Sequence, residues 1–425
     1  MSPPGRTLVR PVAPGSAGFS ALLGLMAALP TFSIDMILPS LSATAAALGV
    51  QGCDIGLALS AYLLSLGAAL LVYGPLSDCF GRKPAVVWGC VILIVASAGC
   101  ILVQSLAQLF AFRVLQGIGA SGPGMAAFAL VRDRFEGEEA RAKMTFVVLV
   151  INVVPMLAPS VGAVLLGIGG WRLIYAAPIA AALVLLLAMT FFDEPAPLDL
   201  RSRLGPAEVA GVYRRVLTNP VFLGNALCNA AMGGAVYAYI TGSSLFFIDA
   251  LGFSPERYGL IFGASSLSVM GGAYLNGRLS GLGLSVGRAT ALGLALATLV
   301  AVILLVAALT KSSSPVPVVF AMVGVALAFG LISPNAMHAA IHPMPEIAGS
   351  ASTVAILLQT AVAAVSSDLV ARLFDGHTVL SMAGVMLGFC IIAAGFHGGL
   401  ARPAEHEAAT ALLRPTEARA KGEAS

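Results

Sequence analysis

Twelve stretches of mostly apolar residues, each about a membrane thickness long as a helix, recur along the chain between short polar breaks. They run approximately over 18–38, 55–73, 85–103, 107–131, 144–166 and 173–192, then 220–247, 258–275, 289–309, 317–337, 350–370 and 379–397. At a rise of 1.5 Å per residue, about 20 helical residues cross the roughly 30 Å of hydrocarbon in a bilayer. Lipid offers no partners to free backbone groups, so the spans are expected to be helices. Composition points the same way: 58% of residues are hydrophobic and 10% charged, against roughly 25% charged in soluble proteins. The expected class is an all-α membrane protein with twelve transmembrane helices. The first stretch is not expected to be a secretory signal, because it is too long and contains Asp35, with Pro39 just beyond it.

Basic residues orient the chain. With the N-terminus placed in the cytoplasm, 18 of the 23 Lys and Arg residues fall on the inner side. The outer loops hold Arg172, Arg257, Lys311 and Arg372, and Arg113 lies within a span. This bias predicts a multi-pass protein of the inner (plasma) membrane with both termini cytoplasmic. The net charge of +3 makes no case for nucleic acid. The six cysteines form no CxxC or Cys/His cluster, so neither a metal site nor a disulfide framework is expected.

The longest polar break, residues 193–217, divides the spans into six and six and is read as a cytoplasmic linker with a short amphipathic piece from Pro206 to Leu217. The expected organisation is a cytoplasmic arm (1–17), a six-helix bundle (18–192), the linker, a second six-helix bundle (218–400) and a disordered tail (401–425).

Polar side chains at bilayer depth are costly and usually face a cavity or a partner. Here they are Asp35 in span 1, Arg113 and Gln116 in span 4, Asn152 in span 5, Asn225 and Asn229 in span 7, Asn335 in span 10, and Gln359 and Asp368 in span 11. Spans 3, 6, 9 and 12 are among those that carry none, and this every-third set is expected to face lipid while the others line a central path. Counting inward, Asp35 and Arg113 fall at similar depths in the outer half. One reading is a structural ion pair. The other is a proton-exchanging acid beside a fixed cation, and since arginine stays charged, Asp35 is the candidate carrier. The expected cavity residues are Asp35, Tyr62, Arg113, Gln116, Asn152, Asn229, Tyr237, Asn335 and Gln359. A wall with so few polar groups suits a weakly polar ligand better than a sugar.

Several segments carry a family resemblance. GPLSDCFGRK (Gly74–Lys83), between spans 2 and 3, resembles the signature loop of the major facilitator superfamily at Gly74, Asp78, Gly81, Arg82 and Lys83. Cys79 stands where the pattern has arginine. RVLQGIGAS (Arg113–Ser121) resembles the span-4 motif of proton-coupled members, and PMLAPSVG (Pro155–Gly162) the span-5 antiporter motif. TFSIDMILPSL (Thr31–Leu41) and GWRLIY (Gly170–Tyr175) are similar to the bicyclomycin/chloramphenicol resistance branch of drug:proton antiporters. YGLIF (Tyr258–Phe262) and NGR (Asn276–Arg278) add weaker support, the latter resembling a worn repeat of the first loop.

The resemblance implies a major facilitator fold of two six-helix bundles that rock about a central cavity. It implies proton coupling through Asp35 and Arg113, and a conformational gate at Gly74, Asp78, Gly81, Arg82, Lys83, Pro155, Pro159 and Gly162, with Asp78 facing the start of span 11 near Gly349 and Ser350. Gly74 is expected to allow close helix contact and Gly81 a tight turn. The implied function is export of a small lipophilic compound in exchange for a proton. The alternative is a carrier that exports a metabolite or imports one by symport. The proton is the coupling ion and no other cofactor is expected. The expected partners are a small-molecule substrate and the lipid bilayer, and a monomer would suffice. No HExxH, GxSxG or GxxxxGK[ST] motif occurs, so neither an enzyme nor a nucleotide-driven pump is indicated.

Overall fold

A computed structural model describes residues 16–50, 52–192, 206–310 and 314–406. Most of the expected N-terminal arm, the greater part of the linker, most of the tail, and the side chains of Asp78 and Asn152 lie outside the described residues. All regular structure among the described residues is helical.

Helix α1 (Ala17–Asp35) is capped by Ser16, whose Oγ accepts from the Phe19 amide at 3.1 Å. It is followed by a 3₁₀ turn over Leu38–Ser40, started by Pro39, and a short helix α2 (Leu41–Leu48) that ends at Gly49 with φ of 67°. The next helices are α3 (Gly52–Phe80), α4 (Arg82–Leu102), α5 (Leu106–Arg134), α6 (Gly137–Ile174) and α7 (Ala176–Thr190). Helix α8 (Pro206–Leu217) occupies the described part of the linker, where the amphipathic piece was expected. The series ends with α9 (Pro220–Ser244), α10 (Pro255–Gly281), α11 (Val286–Leu309), α12 (Val316–Ile341), α13 (Ala348–Leu373) and α14 (Leu380–Phe396). Two π turns, Leu245–Ala250 and His397–Ala401, extend α9 and α14.

Eleven of the helical segments are long and apolar enough to cross a membrane, and the 15-residue α7 is a shorter apolar helix. Helix α6 starts earlier than its hydropathy suggests, because Glu138 and Glu139 occupy its first turn, where the helix dipole favours acids. It kinks at Gly169 (φ −140°, ψ 17°) and Gly170 (φ 71°, ψ −177°). Large apolar side chains are exposed along α4 (Trp88, Val95, Leu102), α7 (Leu183, Leu187), α11 (Leu299, Val306, Leu309) and α14 (Ile391, Ile392). Such a belt requires a non-aqueous surrounding.

Glycines bring the inner helices to backbone contact. A Cβ at Gly117 of α5 would lie 2.4 Å from the Tyr62 carbonyl of α3. The later helices repeat the device: a Cβ at Gly272 of α10 would lie 2.0 Å from the Leu327 carbonyl of α12, and one at Gly330 of α12 would lie 2.0 Å from the Val269 carbonyl. Small residues permit such approach where helix association depends on packing.

We call the face carrying the Gly74–Lys83 turn the basic face, and the opposite one the far face. On the far face, the early and late helices seal against each other. Ser244 Oγ donates to the Leu38 carbonyl at 2.8 Å, and the Ser42 hydroxyl donates to Asp249. Gly259 of α10 packs against the backbone of Ser160 in α6. Helices α3 and α13 also meet, with Ser60 Oγ donating to the Ala364 carbonyl at 2.8 Å.

Candidate functional site: a buried acid and guanidinium

Asp35 is the last residue of α1 and only 4% exposed. Pro30, just over one turn earlier, has its carbonyl accepting the Tyr62 hydroxyl at 2.7 Å, which ties α1 to α3. Arg113 lies two turns into α5 and is fully buried. Its Nη1 donates to the Ser33 carbonyl at 3.2 Å and to Gln116 Oε1 at 2.7 Å, and its Cζ lies 4.4 Å from the Tyr62 ring centroid. Gln116 Nε2 in turn donates to Ser97 Oγ on α4 at 2.7 Å. The guanidinium is therefore held by a backbone carbonyl, an amide and an aromatic face.

What it lacks is a counter-ion. Arg113 Nε and Nη2 are buried without a hydrogen-bond partner. Asp35, two residues beyond Ser33, forms no ion pair with Arg113 and accepts no hydrogen bond among the described residues. A buried donor without a partner costs about 1–3 kcal/mol, more when charged, so this arrangement is not a relaxed ion pair. Tyr237 and Tyr239 of α9 are within electrostatic reach of Asp35.

The other expected cavity residues divide. Asn229, 1% exposed, keeps its Oδ1 unpartnered, and Tyr237 is half-buried. Gln359 packs over Gly233, where a Cβ would lie 2.8 Å from its Cγ. Gln116 and Asn335 are already engaged, the latter with Asn276 through reciprocal amide bonds of 2.7 and 3.2 Å. Ser97 was not singled out from sequence, and Ser33 and Asn276 entered only as members of the family-like segments. Serine is common in apolar helices and carries no pattern of its own, so only the fold shows what Ser97 and the Ser33 carbonyl hold.

At the basic-face turn, Gly81 has φ of 102°, a conformation that favours glycine. Arg82 bridges Asp133 at the end of α5 (2.7 Å) and donates to Ser77 (2.7 Å), while Lys83 donates to the Phe192 carbonyl past α7 (2.7 Å). Gly74 corrects an expectation: a Cβ there would meet nothing within 4 Å, so no close helix contact depends on it. The tight position is Gly162, where a Cβ would lie 2.0 Å from the Met36 carbonyl, next to Asp35. Pro155 and Pro159 both lie inside the same helix, α6.

A helical fold with an apolar belt, glycine-packed inner helices and a buried, unpaired acid and base defines a membrane transport protein. The chain belongs to the Major Facilitator Superfamily, whose family model matches residues 21–367. It is 27% identical over 364 residues to a bicyclomycin resistance protein homolog of Haemophilus influenzae, covering 84% of this chain and 89% of that one. It is 31% identical over 260 residues to a chloramphenicol resistance protein of Pseudomonas aeruginosa, covering 59% of each chain and so less than two thirds of that relative's length. Among solved structures, a bacterial homolog of the human lysosomal transporter Spinster matches with a TM-score of 0.71 over 90% of this chain and 97% of that one. At 16% identity, that likeness concerns the fold alone.

Proposed function

We propose that this chain is a drug efflux transporter of the bacterial inner membrane that expels a small, fairly lipophilic compound in exchange for a proton. The observation that carries the reading is the buried Arg113, which keeps two unpaired donors while bonded to the Ser33 carbonyl, two residues before a buried Asp35 that has no hydrogen-bond partner among the described residues. Neither group is comfortable there as an isolated charge. Asp35 is accommodated in this arrangement as the neutral acid, and Arg113 awaits either the carboxylate or an accepting group on a ligand. Similarity to bicyclomycin and chloramphenicol resistance proteins supports a drug as the ligand.

The cycle follows from this chemistry. With the far face open to the outside, Asp35 takes a proton and its tie to Arg113 is lost. The far face then seals through Ser244 and Leu38, the arrangement described here. Binding of the compound from the cytoplasm favours release of the proton inward. Arg113 draws the resulting carboxylate, and the bundles rock to expel the ligand. Each proton entering contributes about 2.3 kcal/mol per 100 mV of membrane potential.

The finer architecture belongs to the same reading: twelve spans in two bundles, joined by the linker at residues 193–217, with the basic face in the cytoplasm. The span that completes the twelve is the sixth in chain order, Trp171–Thr190. Tyr175 keeps helical dihedrals (φ −71°, ψ −13°), so the path beyond the Gly169–Gly170 kink is helical through Thr190. At 1.5 Å per residue that path is about 30 Å long.

A drug-susceptibility panel in a host lacking its own pumps tests the proposal. Wild type is expected to raise tolerance to at least one amphenicol-like or similar small antibiotic, and Asp35→Asn to lose it at equal expression. No raised tolerance to any compound would point to the metabolite carrier instead.

A further inference from the structure

Helix α14 loosens into a π turn over His397–Ala401, at the basic-face end of two lipid-facing helices. Such turns are rare and cluster at functional sites. His397 is 5% exposed, and neither ring nitrogen has a hydrogen-bond partner. The Gly287 carbonyl, beside the ring but outside hydrogen-bond geometry, instead accepts from Arg402 Nη2 at 3.3 Å. Nearby Glu405 is turned toward Asn225, whose Nδ2 donates to it at 2.8 Å. Next to the ring, a groove of about 430 Å³ lies between α11 and α14, lined by Leu294, Ala295, Leu299 and Ala394 together with His397 and Arg402.

We propose that this groove holds one anionic phospholipid, its phosphate on Arg402 and His397 and an acyl chain along α11. The groove's shape and placement both point to a lipid. Its walls are apolar and face the bilayer, while its charged end lies where headgroups sit. Arg402 is exposed and supplies the cation, with Arg288 following Gly287 at the same end. A neutral imidazole offers one N–H donor and one acceptor nitrogen. A phosphate oxygen satisfies the first and a headgroup hydroxyl the second, a pairing that phosphatidylglycerol has and phosphatidylcholine lacks. A buried imidazole left with neither partner would cost stability. The site is remote from Asp35 in sequence and does not rest on proton coupling.

Native mass spectrometry of delipidated full-length protein tests it, with phosphatidylglycerol, phosphatidylcholine or glycerol 3-phosphate added. One phosphatidylglycerol is expected to bind at least about tenfold more tightly than phosphatidylcholine. That preference should vanish in Arg402→Gln and weaken in His397→Phe, and millimolar glycerol 3-phosphate should not displace the lipid. Ala295→Trp, which fills the groove and leaves both polar residues in the sequence, should also abolish binding while the protein still elutes as a monodisperse peak. Equal binding by wild type and these variants, or displacement by glycerol 3-phosphate alone, would overturn the proposal.

Discussion

Tyr62 and Arg113 are paired face to cation: the ring lies under the guanidinium at 4.4 Å, while the phenol hydroxyl is committed elsewhere, to the Pro30 carbonyl of α1. One side chain thus joins the helix that ends at Asp35 to the helix that carries the base. Ring and hydroxyl do different jobs, so they can be separated.

Tyr62→Phe keeps the ring and loses one hydrogen bond, a cost of about 1 kcal/mol. It is expected to retain most transport. Tyr62→Leu removes a cation–π contact worth about 2 kcal/mol when desolvated and leaves the guanidinium with even fewer partners. Efflux should fall about tenfold or more, as read by accumulation of a fluorescent or radiolabelled substrate at matched expression. Similar loss in both variants would mean that the hydroxyl, not the ring, is what matters.

Two glycines of the expected gate should behave oppositely. Gly162→Ala would drive a methyl to 2.0 Å from the Met36 carbonyl, forcing α6 away from the end of α1. A sharp loss of transport and a lower yield of folded protein are expected. Gly74→Ala meets open space inside a helix, where alanine is favoured by about 1 kcal/mol. Its melting temperature in detergent should equal or slightly exceed that of wild type. A collapse of Gly74→Ala would restore the close contact that the sequence led one to expect.

The Arg82–Asp133 bridge joins the start of α4 to the end of α5, with side chains only 11% and 22% exposed. A double-mutant cycle with Arg82→Ala and Asp133→Ala, read by thermal unfolding, should give a coupling of about 1 kcal/mol. Purely additive losses would show that the pair contributes nothing.

The membrane fold was legible because hydropathy over some twenty residues is a long, redundant signal, and Asp35 and Arg113 stood out as charges inside it. Other features were hidden for definite reasons. Helix α2 is only eight residues long, so a search for apolar runs of about twenty residues passes over it. The early start of α6 lies in polar sequence, where helix formation depends on Glu138 and Glu139 rather than on hydropathy. Gly74 was expected at a close helix contact and meets none, because a motif shows where a glycine stands and not what faces it. Gln116 is tied to Ser97 and Arg113, a partnership set by helix rotation that composition does not encode.

Everything turns on whether Asp35 carries the proton. The most direct measurement is uptake of an identified drug substrate into inside-out vesicles under an imposed proton gradient. Wild type should accumulate the drug, lose that accumulation when nigericin and valinomycin collapse the gradient, and match empty vesicles when Asp35 is replaced by Asn. Gradient-driven accumulation that persists undiminished in Asp35→Asn would contradict the mechanism.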